Sequence, residues 1–245
     1  MLKSFSILFI VLASFMGVTQ AADKAVVIRS DSNLFPSGEK LDVQTQIILA
    51  EQESITVAFA TGGIQTVVGP YQGLLFDPLH KEINGEATAK VDLDILAELS
   101  TAQTPELTII RGKSTELATS QNIWLIDVNT NRRNYCIATS SVDLSRPESE
   151  SKTASILHLS HKKTGQEKTM QWPARQTTLR WPNDLPVVSG DTYTVEITTR
   201  QQSSKFKKIE LYLVPKELPT DSHKVVWMVG KGCLPQAKML LASLH

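Results

Sequence analysis

The sequence has 245 residues, of which 25 are lysine or arginine and 25 are aspartate or glutamate, and 41% are hydrophobic. Balanced charge leaves no basic excess to neutralise phosphates, which excludes nucleic acid and strongly anionic membrane surfaces as the main partner. Two cysteines, Cys136 and Cys233, stand too far apart and too far from histidine spacing to make a zinc set.

The chain opens on a secretion signal, residues 1–21. Lys3 supplies its positive start, Phe5 to Val18 an apolar core shorter than a bilayer span, and Thr19-Gln20-Ala21 a small residue for cleavage. No later stretch is apolar enough to cross, so the mature chain is expected to lack a transmembrane span and to reside in the periplasm. In an oxidising compartment Cys136 and Cys233 read most simply as one disulfide. A loop of about 100 residues closed this way contributes about 4.7 kcal/mol in the chain-entropy picture. Two separate buried thiols are the alternative.

Residues 23–76 read as a first β domain. Ala25 to Ile28 form a short apolar strand and Pro36-Ser37-Gly38-Glu39 a turn. Leu41, Val43 and Thr45 alternate, and Ile47 to Leu49 continue the pattern. Ile55, Val57 and Phe59 then share one face of a strand that reverses at Thr61-Gly62-Gly63 and returns over Ile64 to Val68. The unit reads as a β-meander closed by the turn Gly69-Pro70-Tyr71-Gln72-Gly73.

The pattern G-x-x-L-x-x-x-x-x-I-x-L from Gly38, followed by S-I-T-V-A-F-A-T-G-G-I-Q-T-V-V-G-P-Y-Q-G from Ser54, resembles the repeating β-unit of FecR-like periplasmic domains. The resemblance covers about residues 34–76. It implies a β-rich extracytoplasmic domain of the kind found in envelope signalling and assembly proteins.

Residues 77–105 read as a connector punctuated by Pro78, Asn84-Gly85 and Pro105. Val91, Ile95 and Leu99 fall at i, i+4 and i+8, which predicts a short amphipathic helix, with a domain boundary near Thr104-Pro105. Residues 106–219 read as a β-sandwich of immunoglobulin-like or fibronectin-like shape. Its predicted strands are Leu107 to Ile110, Ile123 to Val128, Tyr135 to Ala138, Ala154 to His161, Gln166 to Trp172, Thr192 to Thr199 and Ile209 to Val214. Residues 145–153 are expected as an exposed loop and Ser203 to Lys208 as a basic turn. At its centre, Trp172-Pro173 and Trp181-Pro182 stand nine residues apart. Residues 220–245 are expected as two helices packed on the sandwich, the first capped by Asp221 and stopped by Gly230. The second starts at Pro235, with Ala237, Leu240, Leu241 and Leu244 on one face.

No complete catalytic constellation is legible. His158 and His161 lie three apart on a strand and so point to opposite faces. Arg111-Gly112-Lys113-Ser114 lacks the first glycine of a phosphate loop, and no G-x-S-x-G occurs among residues that could serve His80, His158, His161, His223 or His245. The sequence therefore points to no catalytic residue, no metal and no cofactor. Trp172, Arg180, Trp181, Tyr193 and Tyr71 are candidates for a contact surface, although a tryptophan beside proline also fits an aromatic plug over a core. Lys205, Lys207 and Lys208 read as a solvated tip or a docking patch. The expected function is a non-catalytic exported envelope protein, an interaction or assembly module for another envelope protein. The alternatives are a carbohydrate or cell-wall binding module, needing both tryptophans exposed on one face, and an uncharacterised hydrolase, needing a histidine and an acid beside a nucleophile in a pocket.

Overall fold

Four consecutive apolar residues, Ala25 to Ile28, give a strand no polar face, so β1 (Lys24–Ser30) has to be covered on both sides. The computed structural model describes residues 24–76, 91–101, 123–137, 142–199 and 202–244, and within them β1 is covered in that way. Ala25 and Val27 enter one core, Val26 and Ile28 another. The signal segment, the predicted strand at 107–110, the Arg111 to Ser114 stretch, the boundary near 104–105, His80 and His245 lie outside the described residues.

β1 sits inside a sheet of order β2-β1-β4-β5, where β2 is Lys40–Asp42, β4 Ser54–Phe59 and β5 Ile64–Val68. β3 (Gln46–Leu49) leaves this sheet to pair antiparallel with β6 (Tyr71–Leu74) as a separate ribbon. The expected meander is therefore corrected to two layers, because β1 needs neighbours on both edges as well as both faces. The closing turn is corrected as well, since Tyr71 begins a strand. Between the layers lie Ile47, Leu49, Ile55, Val57, Phe59 and Val67. Two glycines of the sequence pattern have steric work here. A Cβ on Gly69 would collide with the Ala50 carbonyl oxygen, and one on Gly38, whose φ is +90°, would run into Thr101 Cγ2.

α1 (Leu93–Thr101) starts where the Asp92 carboxylate accepts the amide hydrogens of Asp94 and Ile95. It packs on the sheet face of Val26, Ile28 and Ala58, burying Leu96, Ala97 and Ser100, with Leu93, Ile95 and Leu99 half-buried. The face is thus wider than the predicted Val91, Ile95, Leu99 stripe.

In the second half a five-stranded sheet of order β11-β10-β13-β14-β8 faces a three-stranded one of order β12-β9-β7. The strands are β7 (Ile126–Asp127), β8 (Asn134–Ile137), β9 (Asp143–Ser145), β10 (Ser155–His161), β11 (Glu167–Trp172), β12 (Thr178–Arg180), β13 (Asp191–Thr199) and β14 (Gln202–Leu213). β8 runs parallel to β14 and β7 parallel to β9; the other pairs are antiparallel. Two expectations fail. The stretch 145–153 holds a one-turn helix, α2 (Glu148–Ser151), with Arg146 and Ser151 buried rather than exposed. Lys205, Lys207 and Lys208 lie on the long β14 rather than in a turn, because the run alternates about Phe206 and continues the Ile209, Leu211 face.

The C-terminal helices are α3 (Asp221–Gly230) and α4 (Leu234–Ala242), with Pro235 in the first turn of α4 as expected. The cap of α3 is Thr220, whose hydroxyl accepts the His223 amide hydrogen, and not Asp221. No described helix is long and apolar enough to cross a membrane. Cys136 on β8 and Cys233 before α4 form a disulfide with Cα atoms 5.9 Å apart. Three residues on, the buried Gln236 amide completes the join: its Oε1 accepts the Cys136 N–H at 2.8 Å, and its Nε2 donates to the carbonyls of Cys136 at 2.8 Å and Ile123 at 2.7 Å. The side chain stands in for a neighbouring strand at the open edge of β8.

Replacing Gln236 by leucine leaves three buried backbone groups without their partner, each costing about 1–3 kcal/mol. Gln236→Leu is therefore expected to lower stability by about 3 kcal/mol in urea denaturation with the disulfide intact. Gln236→Glu should do no better, since an ionised carboxylate cannot donate to the Cys136 carbonyl.

Candidate functional site

The two Trp-Pro steps close the two ends of the sandwich. Trp172, at the end of β11, lies opposite Ser155, the first residue of β10, and is fully buried. The Arg146 guanidinium stands 4.7 Å above its ring and donates to the Gln176, Thr153 and Pro173 carbonyls and to Ser155 Oγ. With no carboxylate among these partners, burial pushes the Arg146 pKa down. At the other end of β10, Trp181 meets Tyr193 edge-on at 5.2 Å, and His161 stacks on Tyr193 at 4.7 Å. The Trp181 Nε1 donates to the Leu185 carbonyl, and the Tyr193 hydroxyl donates to the Pro186 carbonyl while accepting from the Val188 amide.

Trp172, Trp181 and Tyr193 are thus removed as surface candidates: each ring fills the core between the sheets, and the tryptophans are a strand length of about 20 Å apart. Of the other two candidates, Arg180 is exposed and pairs with Asp143 at 3.3 Å. Tyr71 is half-buried, its hydroxyl donating to the Leu74 carbonyl.

Sequence reasoning missed the surroundings of His161. Its Nε2 is 2.9 Å from Asp191 Oδ2 and its Nδ1 2.9 Å from Thr164 Oγ1. A carboxylate only accepts, so Nε2 carries the hydrogen, and in the neutral ring Nδ1 accepts from the threonine hydroxyl. Both nitrogens are engaged and the residue is 2% exposed, so the arrangement pins the hairpin turn to the start of β13. Thr164 sits in that turn and lines neither of the two clefts below. One cleft of about 670 Å³ is bordered by α2, Arg175 and Thr177, and one of about 420 Å³ by Ile156, Gln171, Trp172 and Thr198. Among the described residues no three His, Cys, Asp or Glu side chains gather as a metal set.

Lys207 is the most perturbed cation. Its ammonium donates to the carbonyls of Asp127 at 2.7 Å and Thr130 at 3.1 Å and to the Tyr135 hydroxyl at 3.2 Å, over the Tyr135 ring. Burial brings its pKa down to about 8, against the opposing pull of Asp127. It ties the loop after β7 to the inner face of β14 and is not a docking lysine.

The remaining feature is a sheet edge. In an antiparallel pair the residues that exchange hydrogen bonds alternate with those that do not. Phe59 N–H donates to Gly63 O and Gly69 N–H to Glu53 O, which fixes the phase along β4 and β5. Gln65 and Val67 bond to β4, so the N–H and C=O groups of Ile64, Thr66 and Val68 point away from the sheet, and no described residue bonds to them. Three other edges are guarded, whereas the ribbon strands β3, Q-I-I-L, and β6, Y-Q-G-L, are uncharged like β5 but one residue shorter. β11 carries Glu167 and Lys168, the latter paired with Asp184, and β8 is closed by Gln236. β2 is three residues long with a charge at each end. β5, I-Q-T-V-V, has no charge and no proline. Beside it Val68 is 63% and Phe76 58% exposed, and Phe76 N–H donates to Gln65 Oε1.

No protein-family model matches the chain, and neither do any curated protein or solved structure.

Two outcomes follow from this geometry. Trp172→Ala and Trp181→Ala should each lose about 3–5 kcal/mol of stability, measured by chemical denaturation, as core aromatics do. For Lys207 the folded pKa of about 8 lies below its ordinary 10.5. Between these values the unfolded chain holds a proton that the folded chain has released, so stability rises with pH across the window, and below it the full penalty remains. Unfolding free energies measured from about pH 7 to 11 should rise with pH more in the wild type than in Lys207→Met.

Proposed function

We propose that this chain is a non-catalytic exported envelope protein, a periplasmic interaction or assembly module that accepts an extended segment of a partner protein along β5. The observation that carries the reading is the edge at Ile64, Thr66 and Val68, unpaired among the described residues, which offers backbone groups in the pattern that strand addition uses. Backbone pairing supplies affinity there, and the exposed Val68 and Phe76 supply a rim for alternate apolar side chains of the added segment.

Export has support from the disulfide. The FecR-like reading of the first unit has support from Gly38 and Gly69, both of which occupy positions where a side chain would collide. An immunoglobulin-like reading of the second unit has support from its two facing sheets and from Tyr193, whose hydroxyl returns to the backbone upstream of its strand as in a tyrosine corner. The parallel pairing of β7 with β9 departs from that pattern.

The carbohydrate alternative loses its premise, because the two tryptophans are buried at opposite ends. The hydrolase alternative has Thr164, His161 and Asp191 in hydrogen-bonding order in its favour, and against it the burial of His161, 2% exposed with both ring nitrogens engaged.

The test is in-cell crosslinking of the tagged protein, with identification of what is captured, in the wild type and in Thr66→Pro. Proline removes an outward N–H without touching the ladder to β4. A protein captured by the wild type should be lost in Thr66→Pro while circular dichroism stays unchanged; undiminished capture overturns the assignment to β5.

A further inference from the structure

We infer that the partner of β5 is a second copy of this chain, paired antiparallel about a two-fold axis at Thr66. The inference rests on the strand-addition reading above and names the partner.

The register is the first argument. The outward backbone groups belong to Ile64, Thr66 and Val68, a set symmetric about Thr66. A two-fold axis at Thr66 sets Thr66 opposite Thr66 of the second copy and Ile64 opposite its Val68. Every residue so paired has its N–H and C=O facing the partner, so each pair exchanges two hydrogen bonds. The two four-stranded sheets then become one continuous sheet joined at β5, with the short β2 of each copy at its outer margins.

The side chains give the second argument. Ile64 is half-buried and packs against the cluster that contains α1, whereas Val68 at the other end of the strand is 63% exposed. In the two-fold register the exposed Val68 of each copy lies beside the Ile64 of the other, so the unburied end of one strand is covered by the buried end of its mate. A heterologous strand would have to bring its own cover for Val68.

Charge is the third. β5 has no ionisable side chain, so self-pairing opposes no like charges across the strands. The chain as a whole has 25 cationic and 25 anionic side chains, so two copies meet without net repulsion. The interface is isologous, as two-fold contacts are, and it occupies the β5 edge of both copies, so a third copy cannot add at that strand.

The experiment uses the purified chain with its Cys136–Cys233 disulfide intact. Sedimentation equilibrium should give a dimer that dissociates on dilution, and Val68→Lys should raise the dissociation constant by at least about tenfold by placing an ammonium in the new ladder. Thr66→Cys provides the register. Residues opposite each other in a hydrogen-bonded pair have Cα atoms about 5.5 Å apart, within disulfide reach. Mild oxidation should convert Thr66→Cys to a covalent dimer and leave Val68→Cys, whose two copies lie far apart in this register, largely unlinked.

A wild type that stays monomeric throughout the micromolar range, or equal crosslinking of the two cysteine variants, overturns the self-pairing. If that monomer still captures another protein in cells and Thr66→Pro abolishes the capture, strand addition at β5 stands and only the identity of the partner falls. If Thr66→Pro abolishes nothing, both readings fall.

Discussion

The rest of the molecule depends on how the edge of β8 is closed. A strand of four residues at the margin of a five-stranded sheet would expose its backbone, and here the exposed groups at Cys136 are taken up by one glutamine side chain from α4. The disulfide, three residues before that glutamine, holds it in place, and the bond's sequence separation of 97 residues encloses nearly the whole sandwich. The covalent bond reduces the freedom of the unfolded chain, and the amide satisfies the folded one. Each needs the other, because a glutamine that must find its strand unaided loses side-chain entropy comparable to what its hydrogen bonds return.

Once α4 is fixed there, a shared core follows. α3 and α4 pack their apolar faces against α1 and against Val26 and Ile28 of β1, and Cys136 and Val214 reach the same cluster from the sandwich. The first unit therefore leans on helices from the other end of the sequence. β1 is the reciprocal element: alternate residues of one strand serve two cores, so the apolar run Ala25 to Ile28 joins the first unit's interior to the helical layer.

Much of this was legible in the sequence where local chemistry and tertiary demand agree. The strand β1 follows from its apolar run, β4, β5, β10, β11 and β13 from alternation and turn residues, α4 from Pro235 and the apolar face behind it, and the disulfide from compartment and count. Failures came where a side chain has two natures. Lys205, Lys207 and Lys208 suggested a solvated turn, yet Lys207 has a long apolar stem and an ammonium that three oxygens receive, so it sits on a strand. Arg146 suggested an exposed loop, and it is buried because its fork meets carbonyls from separate segments that only the folded chain brings together. Tyr71 failed for a topological reason, since no local pattern says that β3 leaves its sheet to pair with β6. The candidate site was the least legible part. A free edge is a property of which strands end a sheet, and nothing in I-Q-T-V-V distinguishes an outer strand from an inner one, since the inner β4, S-I-T-V-A-F, is equally uncharged.

The missing charge of β5 bears on function through the contrast between two sheet edges. Sheet edges left open invite aggregation, and proteins usually shorten them, charge them or cover them. This chain does each of these elsewhere: β2 is short, β11 is charged, β8 is covered by Gln236. A fold that commits a buried glutamine and a disulfide to closing one edge, while no described residue covers five uncharged ones at another, separates structural closure from the association proposed above. The first kind of edge is satisfied within the chain whatever the concentration. In the proposed strand addition the second is satisfied by another chain, so its occupancy is set by mass action and can be regulated by how much partner is present.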